Sequence, residues 1–273
     1  MTMSEVFCHT FKALAHELGH DRPRDTRPMW QRRLSTASEF CRALVDCGYL
    51  SEEQMQRAAQ RYRLGASRDS GVIFWQIDEH EVLRDGKIMH YCPDCHRDHD
   101  RKPSWVSYHL RRSGLLTEDW KSEHCLFGLH QLSEEFFAEQ SGKAERRVNS
   151  EEGLARRPEG ESQFATARTI AVVEAEKTAV IMSEVKPEYL WLATGGKTEL
   201  SVARLKPLAG HRVILFPDTD ETGETYREWY EVAEAATDVY GRPFTVSSIL
   251  EQQAAKAQKA AKIDIVDLIF NKP

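Results

Sequence analysis

Residues 169–181 read TIAVVEAEKTAVI, residues 189–196 read YLWLATGG, and residues 212–223 read RVILFPDTDETG. Each stretch contains a short apolar run rich in large aliphatic residues, the pattern of a strand buried on both faces. Each run stops at an acid or at glycine. Between and after the runs lie segments with helical spacing: EKTAVIMSEV (176–185), LSVARLKPL (200–208) and ETYREWYEVAEAATDVY (224–240). PFTVSSI (243–249) supplies a last strand, and AAKAQKAAKIDIVDLIF (254–270) reads as a last helix. Strand–helix alternation at this spacing predicts βαβ crossovers and a mainly parallel sheet across residues 166–273.

In a parallel sheet the functional groups collect beyond the carboxyl ends of the strands. Three acids fall there: Glu174, Asp218 and Asp220. Carboxylates converging at one edge repel each other, and a divalent cation between them removes the repulsion. Their hard oxygens suit Mg²⁺ or Mn²⁺. The competing reading makes these acids caps of the helices that follow. The residue pattern leaves both open.

Working outward, residues 1–66 read as a helical segment. In STASEFCRALVDCGYL, Phe40, Leu44, Val45 and Cys47 share a face, and Gly48 stands where a helix stops. Ser51 and Gln54 have the spacing of a capping box at the head of SEEQMQRAAQRYRLG. Residues 67–132 change to a β-rich lobe. GVIFWQID is the first strand, EHEVLRDG a turn, KIMHY a returning strand and SWVSYHL a third. Residues 133–165 are polar and charged and read as a linker with a helix at its start. The expected class is therefore α/β: a Rossmann-like domain over 166–273, preceded by a small β-rich lobe and a helical N-terminal segment.

Composition narrows the function classes. The 273 residues are 41% hydrophobic and 29% charged, an ordinary globular balance. No apolar run approaches the roughly 20 residues of a membrane span, and the first residues lack the basic-then-apolar pattern of an export signal. A cytoplasmic location with reduced cysteines is the expectation. The net charge of −6 excludes a generally basic nucleic-acid coat, so any such contact is local.

The segment AHELGH (15–20) satisfies H-E-x-x-H, the zinc-protease signature. Its extended form requires glycine at 23 and histidine at 26, where the chain has Pro23 and Thr26. With no second motif around it, the protease reading is set aside. Cys92 and Cys95 in HYCPDCHRDHD are half of a zinc site, with His90, His109, His124 or Cys125 as the other half. The alternative is a polar turn with reduced thiols. Arg97, Arg101, Lys102, Arg111 and Arg112 make a basic stretch around Trp105 and Tyr108 that suits single-stranded nucleic acid. Interleaved acids make a solvated loop the plainer reading.

The phrases VVEAEKTAVI, WLATGG and VILFPDTDETG resemble the Toprim domain of bacterial-type primases, topoisomerases and some nucleases. That family places one glutamate after its first strand, then Asp-x-Asp and a glycine after a later one. These correspond here to Glu174, Asp218, Asp220 and Gly223. VEAEKTA resembles the V-E-G-E-K-x-A form of phage, plasmid and mobile-element primases, with Ala175 replacing glycine. FWQID, GKIM and HCLFGL extend the resemblance upstream, to an uncharacterised family of Toprim-like proteins associated with mobile elements, over roughly residues 60–245.

The resemblance implies metal-dependent phosphoryl transfer on nucleic acid or nucleotides. Glu174, Asp218 and Asp220 would be catalytic and bind Mg²⁺ or Mn²⁺. Lys177 and Lys197 would contact phosphate, and Gly195 and Gly196 would let backbone approach a ligand. Asp264 and Asp267 are candidates for the late acidic pair of primases. Partners would be single-stranded DNA and replication or mobilisation proteins. A DNA primase-like nucleotidyltransferase, a Toprim nuclease and a catalytically weak binding module all fit these residues.

Overall fold

The computed structural model describes residues 34–117, 120–133 and 168–271. The AHELGH segment, Cys8 and nearly all of the expected linker with its helix lie outside them. Two helices open the described chain. Ser38 caps α1 (Glu39–Asp46) by accepting from the Cys41 amide, and Gly48 turns the chain out at φ +72°. Ser51 and Gln54 close the expected capping box at the head of α2 (Glu52–Arg61).

An antiparallel sheet follows, in the order β1 (Gly65–Ala66), β2 (Val72–Ile77), β3 (Leu83–Met89), β4 (Ser104–Trp105). Two expectations are corrected here. The returning strand starts at Leu83, so the LRDG assigned to a turn belongs to β3, with a register shift at Gln76/Ile77 absorbing the irregularity. SWVSYHL is a strand only at Ser104–Trp105. Val106–Arg112 form α3, because Val106 and Leu110 lie one helical turn apart and cover the sheet together with Trp75 and Ile88.

The second sheet is wholly parallel, in the order β6 (Tyr189–Ala193), β5 (Thr169–Val173), β7 (Val213–Phe216), β8 (Phe244–Val246). Strand alternation divides its side chains between two cores. Ala171, Val173, Trp191 and Ala193 face α4 (Glu176–Val185), α1 and α2. Ile170, Val172, Leu192 and Leu215 face α5 (Val202–Leu205) and α6 (Glu224–Tyr240). The helix expected over 254–270 is broken. Lys262 adopts φ +57° after α8 (Lys256–Ala261), and Asp264 caps a new helix, α9 (Ile265–Phe270), preceded in the chain by α7 (Ile249–Gln253).

The layers share one core. Phe74 and Met89 of the antiparallel sheet, Phe40 and Leu44 of α1, and Val173 and Trp191 of the parallel sheet belong to the same buried cluster. The Tyr62 hydroxyl donates to the carbonyls of Trp191 (2.8 Å) and Ala179 (3.1 Å). Phe127 adds a short antiparallel bridge to Ala193 at the edge of β6. The carboxyl edge of the parallel sheet therefore opens toward the antiparallel sheet.

Candidate active site

Glu174 follows β5 directly. The turn after it is held by backbone: the Thr194 amide donates to Val173 O (3.0 Å) and the Gly195 amide to Glu174 O (2.9 Å). Ala175 sits at φ −94°, ψ 142°, a conformation open to any residue, so its methyl group replaces the resembled family's glycine without strain. Gly195 is different. It holds φ +89°, and a Cβ there would stand 3.1 Å from Glu176 Oε1.

Asp218 follows β7 across the same edge. Burial pushes its carboxyl well above the usual carboxylate range, and the fields of Asp264, Glu174 and Asp267 push it further, against the opposing pull of Lys177. Glu174 is also raised, by burial, with Lys197 and Lys87 pulling it down and Asp264 pushing it up. Asp267 is raised by burial and by Asp264. Asp218 thus feels the charge of three other carboxylates at this edge. The late pair arrives because the Thr219 amide donates to Ile263 O (3.1 Å), tying the chain after β7 to the start of α9.

Asp220 is turned elsewhere. Its Oδ1 accepts from the amides of Thr222 (2.9 Å) and Glu224 (3.1 Å) and from the Thr222 hydroxyl (2.8 Å); Oδ2 accepts from the Thr225 amide (2.8 Å). Burial alone would raise its pKa, but these hydrogen bonds outweigh it and hold the group far below the usual range. The helix-cap reading describes what Asp220 does. Asp264 is also a cap, accepting from the amides of Val266 and Asp267 on one oxygen and from the Thr178 hydroxyl on the other.

The lysines divide similarly. Lys177 Nζ lies 5.9 Å from the centre of the Tyr49 ring, on the side of Asp218 and Asp267. Lys197 is exposed and lies 3.5 Å from Glu228 and 3.7 Å from Glu224. Lys87 was not singled out from sequence. It crosses from β3 to donate to the Gly195 carbonyl (2.6 Å) and to both oxygens of the buried Glu176 (3.0 and 3.2 Å). Its signal was the strand itself: with β3 starting at Leu83, Lys87 lies opposite Phe74 on the face that meets the parallel sheet.

The basic candidates are all exposed but turn to separate partners. Arg97 forms a backbone bridge with Tyr91, the Arg101 side chain donates to the Asp69 carbonyl, that of Arg111 to the Trp120 carbonyl, and Arg112 lies over the Tyr108 ring. Lys102 shares their stretch of surface. Cys92 and Cys95 close a tight turn, the Cys95 amide donating to Cys92 O (2.9 Å), with Cys95 buried. The proposed other half of a zinc site is dispersed: His90 contacts Asp69, His109 contacts Ser104, His124 stacks on Trp105, and Cys125 packs beside the second core. Among the described residues no three His, Cys, Asp or Glu side chains are arranged to hold a metal ion. None of the described helices is long and apolar enough to cross a membrane.

A family model, "Domain of unknown function (DUF6371)", matches residues 38–140 and 156–219, a span that includes Lys87, Glu174 and Asp218. The chain belongs to this family. No curated protein sequence matches it. Among solved structures, the DUF6371 chain is similar to a DnaG primase catalytic domain bound to ssDNA, at 15% identity and a TM-score of 0.45, over 98% of this chain and 84% of that one. It is also similar to the Aquifex aeolicus primase (zinc-binding and RNA polymerase domains), at 11% identity and a TM-score of 0.38, over 91% of this chain and 64% of that one. Likenesses at these scores assign no activity to the DUF6371 chain.

Proposed function

We propose that this chain is a primase-like Toprim protein that carries out metal-dependent phosphoryl transfer on nucleic acid or nucleotides, in the replication or transfer of a mobile element's DNA. The observation that carries the proposal is that Glu174 and Asp218 follow two adjacent parallel strands, β5 and β7, at one sheet edge, where burial and neighbouring carboxylates hold both above the usual carboxylate range. Carboxylates that raise one another's pKa cost stability as a purely structural device, and a bound cation would offset that cost.

The donor set fits Mg²⁺ or Mn²⁺. Mg²⁺ keeps several waters and is held by one or two carboxylates together with substrate phosphates, so it needs no cage of three protein ligands. Glu174 and Asp218 would hold it, with Asp267 beside them. Asp220 would act one step back, fixing the start of α6. The ion would neutralise charge developing on the transferred phosphoryl group. Lys197 and Lys177 flank the acids and would take further phosphate charge, and the Gly195–Gly196 backbone leaves room for a ligand to approach. Single-stranded DNA is the proposed polymer, with replication or mobilisation proteins as partners.

The test is a paired assay in Mg²⁺ or Mn²⁺, measuring nucleotide incorporation on single-stranded DNA and nicking of labelled DNA. Wild type should show the first activity, and Glu174→Gln and Asp218→Asn should each reduce it at least a hundredfold, the scale of losing a main electrostatic contributor. Nicking alone would make the protein a nuclease. Neither activity, with nucleic-acid binding intact, would make it a binding module.

A further inference from the structure

Trp105, at the end of β4, and His124 form a stack. Their ring centroids lie 3.9 Å apart with planes inclined by 19°. Trp105 is directly opposite Lys87 in the β3–β4 register, so the two side chains share a face of the sheet. That face is the one from which Lys87 reaches the Gly195 carbonyl. His124 stands three residues before Phe127, which pairs with Ala193 at the end of β6. The stack therefore lies on the Lys87 face of the antiparallel sheet, with the exposed Arg101 and Lys102 shortly before Trp105 in the chain.

The geometry of the stack is fixed from behind. Asp85 is completely buried, and its carboxylate accepts from the Ser107 hydroxyl (2.6 Å), the Ser107 amide (3.1 Å) and the Gly86 amide (2.7 Å). Its Oδ2 lies 3.4 Å from His124 Nε2, which aligns the imidazole with the indole. Gln76, opposite Asp85 in the β2–β3 register, has a buried side-chain carbonyl oxygen with no hydrogen-bond donor among the described residues. A buried carboxylate, an unsatisfied acceptor and a partly exposed aromatic pair on one face are poor material for an apolar core. The partly exposed pair offers a flat aromatic surface to a ligand, held rigid from behind by Asp85. The imidazole on the indole has the geometry of a nitrogen heterocycle stacked on tryptophan.

We propose that Trp105 and His124 form a nucleobase-stacking subsite. This deepens the proposed function and rests on it for the placement of phosphate near Lys197 and the acids. Stacking tolerates any base, because each has a π-face, while the nearby cations follow the backbone. The base belongs either to a single-stranded polynucleotide or to a free nucleoside triphosphate, and the two are separable by experiment.

The test compares binding of an oligothymidylate, an abasic oligonucleotide of the same length and a nucleoside triphosphate, by anisotropy or calorimetry. Trp105→Leu should weaken oligothymidylate on the order of tenfold and leave the abasic chain unchanged, and Trp105→Phe should keep most of the affinity. A parallel loss for the triphosphate shows that the subsite takes a base from either source, and its absence assigns the base to the polymer. Equal loss for base-bearing and abasic chains, or no loss at all, overturns the subsite, as does a wild-type protein that binds no base-bearing probe. Base-dependent binding without incorporation or nicking would leave the subsite standing and remove the enzymatic reading. Incorporation or nicking by a protein whose binding is indifferent to Trp105→Leu would do the reverse.

Discussion

Asp218 and Asp220 are two residues apart and electrostatically opposite. Asp220 is surrounded by donors, so its ionised form is favoured in the fold. Its contribution is present above the unfolded aspartate pKa of about 4 and is lost as pH falls below that value. Asp218 is surrounded by other carboxylates, and its folded pKa lies above its unfolded one. The folded state then holds the extra proton, so this residue costs stability as pH rises through the raised pKa. Asp218→Asn should therefore raise the thermal midpoint in the absence of divalent cations, more at pH 8 than at pH 4. It should also remove any upward shift that Mg²⁺ gives the wild type. Asp220→Ala should instead lower the midpoint with or without Mg²⁺, as loss of a helix cap worth about 0.5–2 kcal/mol. Scanning calorimetry of both variants across pH, with and without Mg²⁺, checks the contrast. An Asp218→Asn protein less stable than wild type at pH 8 without metal would show that the carboxylates do not oppose one another.

The elements nearest the acids show why one helix boundary was hidden in the sequence. AAKAQKAAKIDIVDLIF carries a continuous helical rhythm, yet Lys262 lies in the left-handed region and Asp264 starts again as a cap. An exposed lysine at φ +57° pays the steric cost that glycine avoids. Lys262→Gly should thus stabilise the fold by up to about 1 kcal/mol, read as a shift in denaturant midpoint at constant slope. A destabilised variant would mean that the lysine makes a compensating contact. The break starts the helix that carries Asp264 and Asp267, whose charges act on Asp218. The parallel strands were legible because each is an uninterrupted apolar run ending in an acid or glycine. The break was not, because its signal is a backbone angle at a residue with high helix propensity. SWVSYHL misled for a similar reason: Trp, Val and Tyr suggest a strand, but Val106 and Leu110 pack at helical spacing. The division of labour within Asp-x-Asp was equally invisible, since capping depends on where the Thr222, Glu224 and Thr225 amides point.

Across the described molecule, a buried ion pair ties the antiparallel sheet to the helix after β5 at the candidate site. Lys87 of β3 and Glu176 of α4 are 12% and 4% exposed, and the lysine's further bond to Gly195 O fixes the glycine loop beside Glu174. The other end of α4 is held by Arg57 and Arg61 of α2 on Glu184 (2.8 Å each), and the Tyr62 hydroxyl donates to the Trp191 carbonyl of β6. A buried pair contributes little net stability, because desolvation offsets its attraction, but removing one partner strands the other charge. Lys87→Met should consequently destabilise by about 3–5 kcal/mol, and Glu176→Gln alone should also be costly. The double variant should recover much of the loss, because neither charge remains stranded. If the pair also sets the loop for ligand, the recovered double variant should still bind nucleotide or single-stranded DNA more weakly than wild type. A double-mutant cycle in denaturant, followed by binding measurements on the double variant, separates the two roles. Additive single losses would show that the lysine and glutamate do not depend on each other. Full recovery of both stability and binding would make the pair a structural clamp alone.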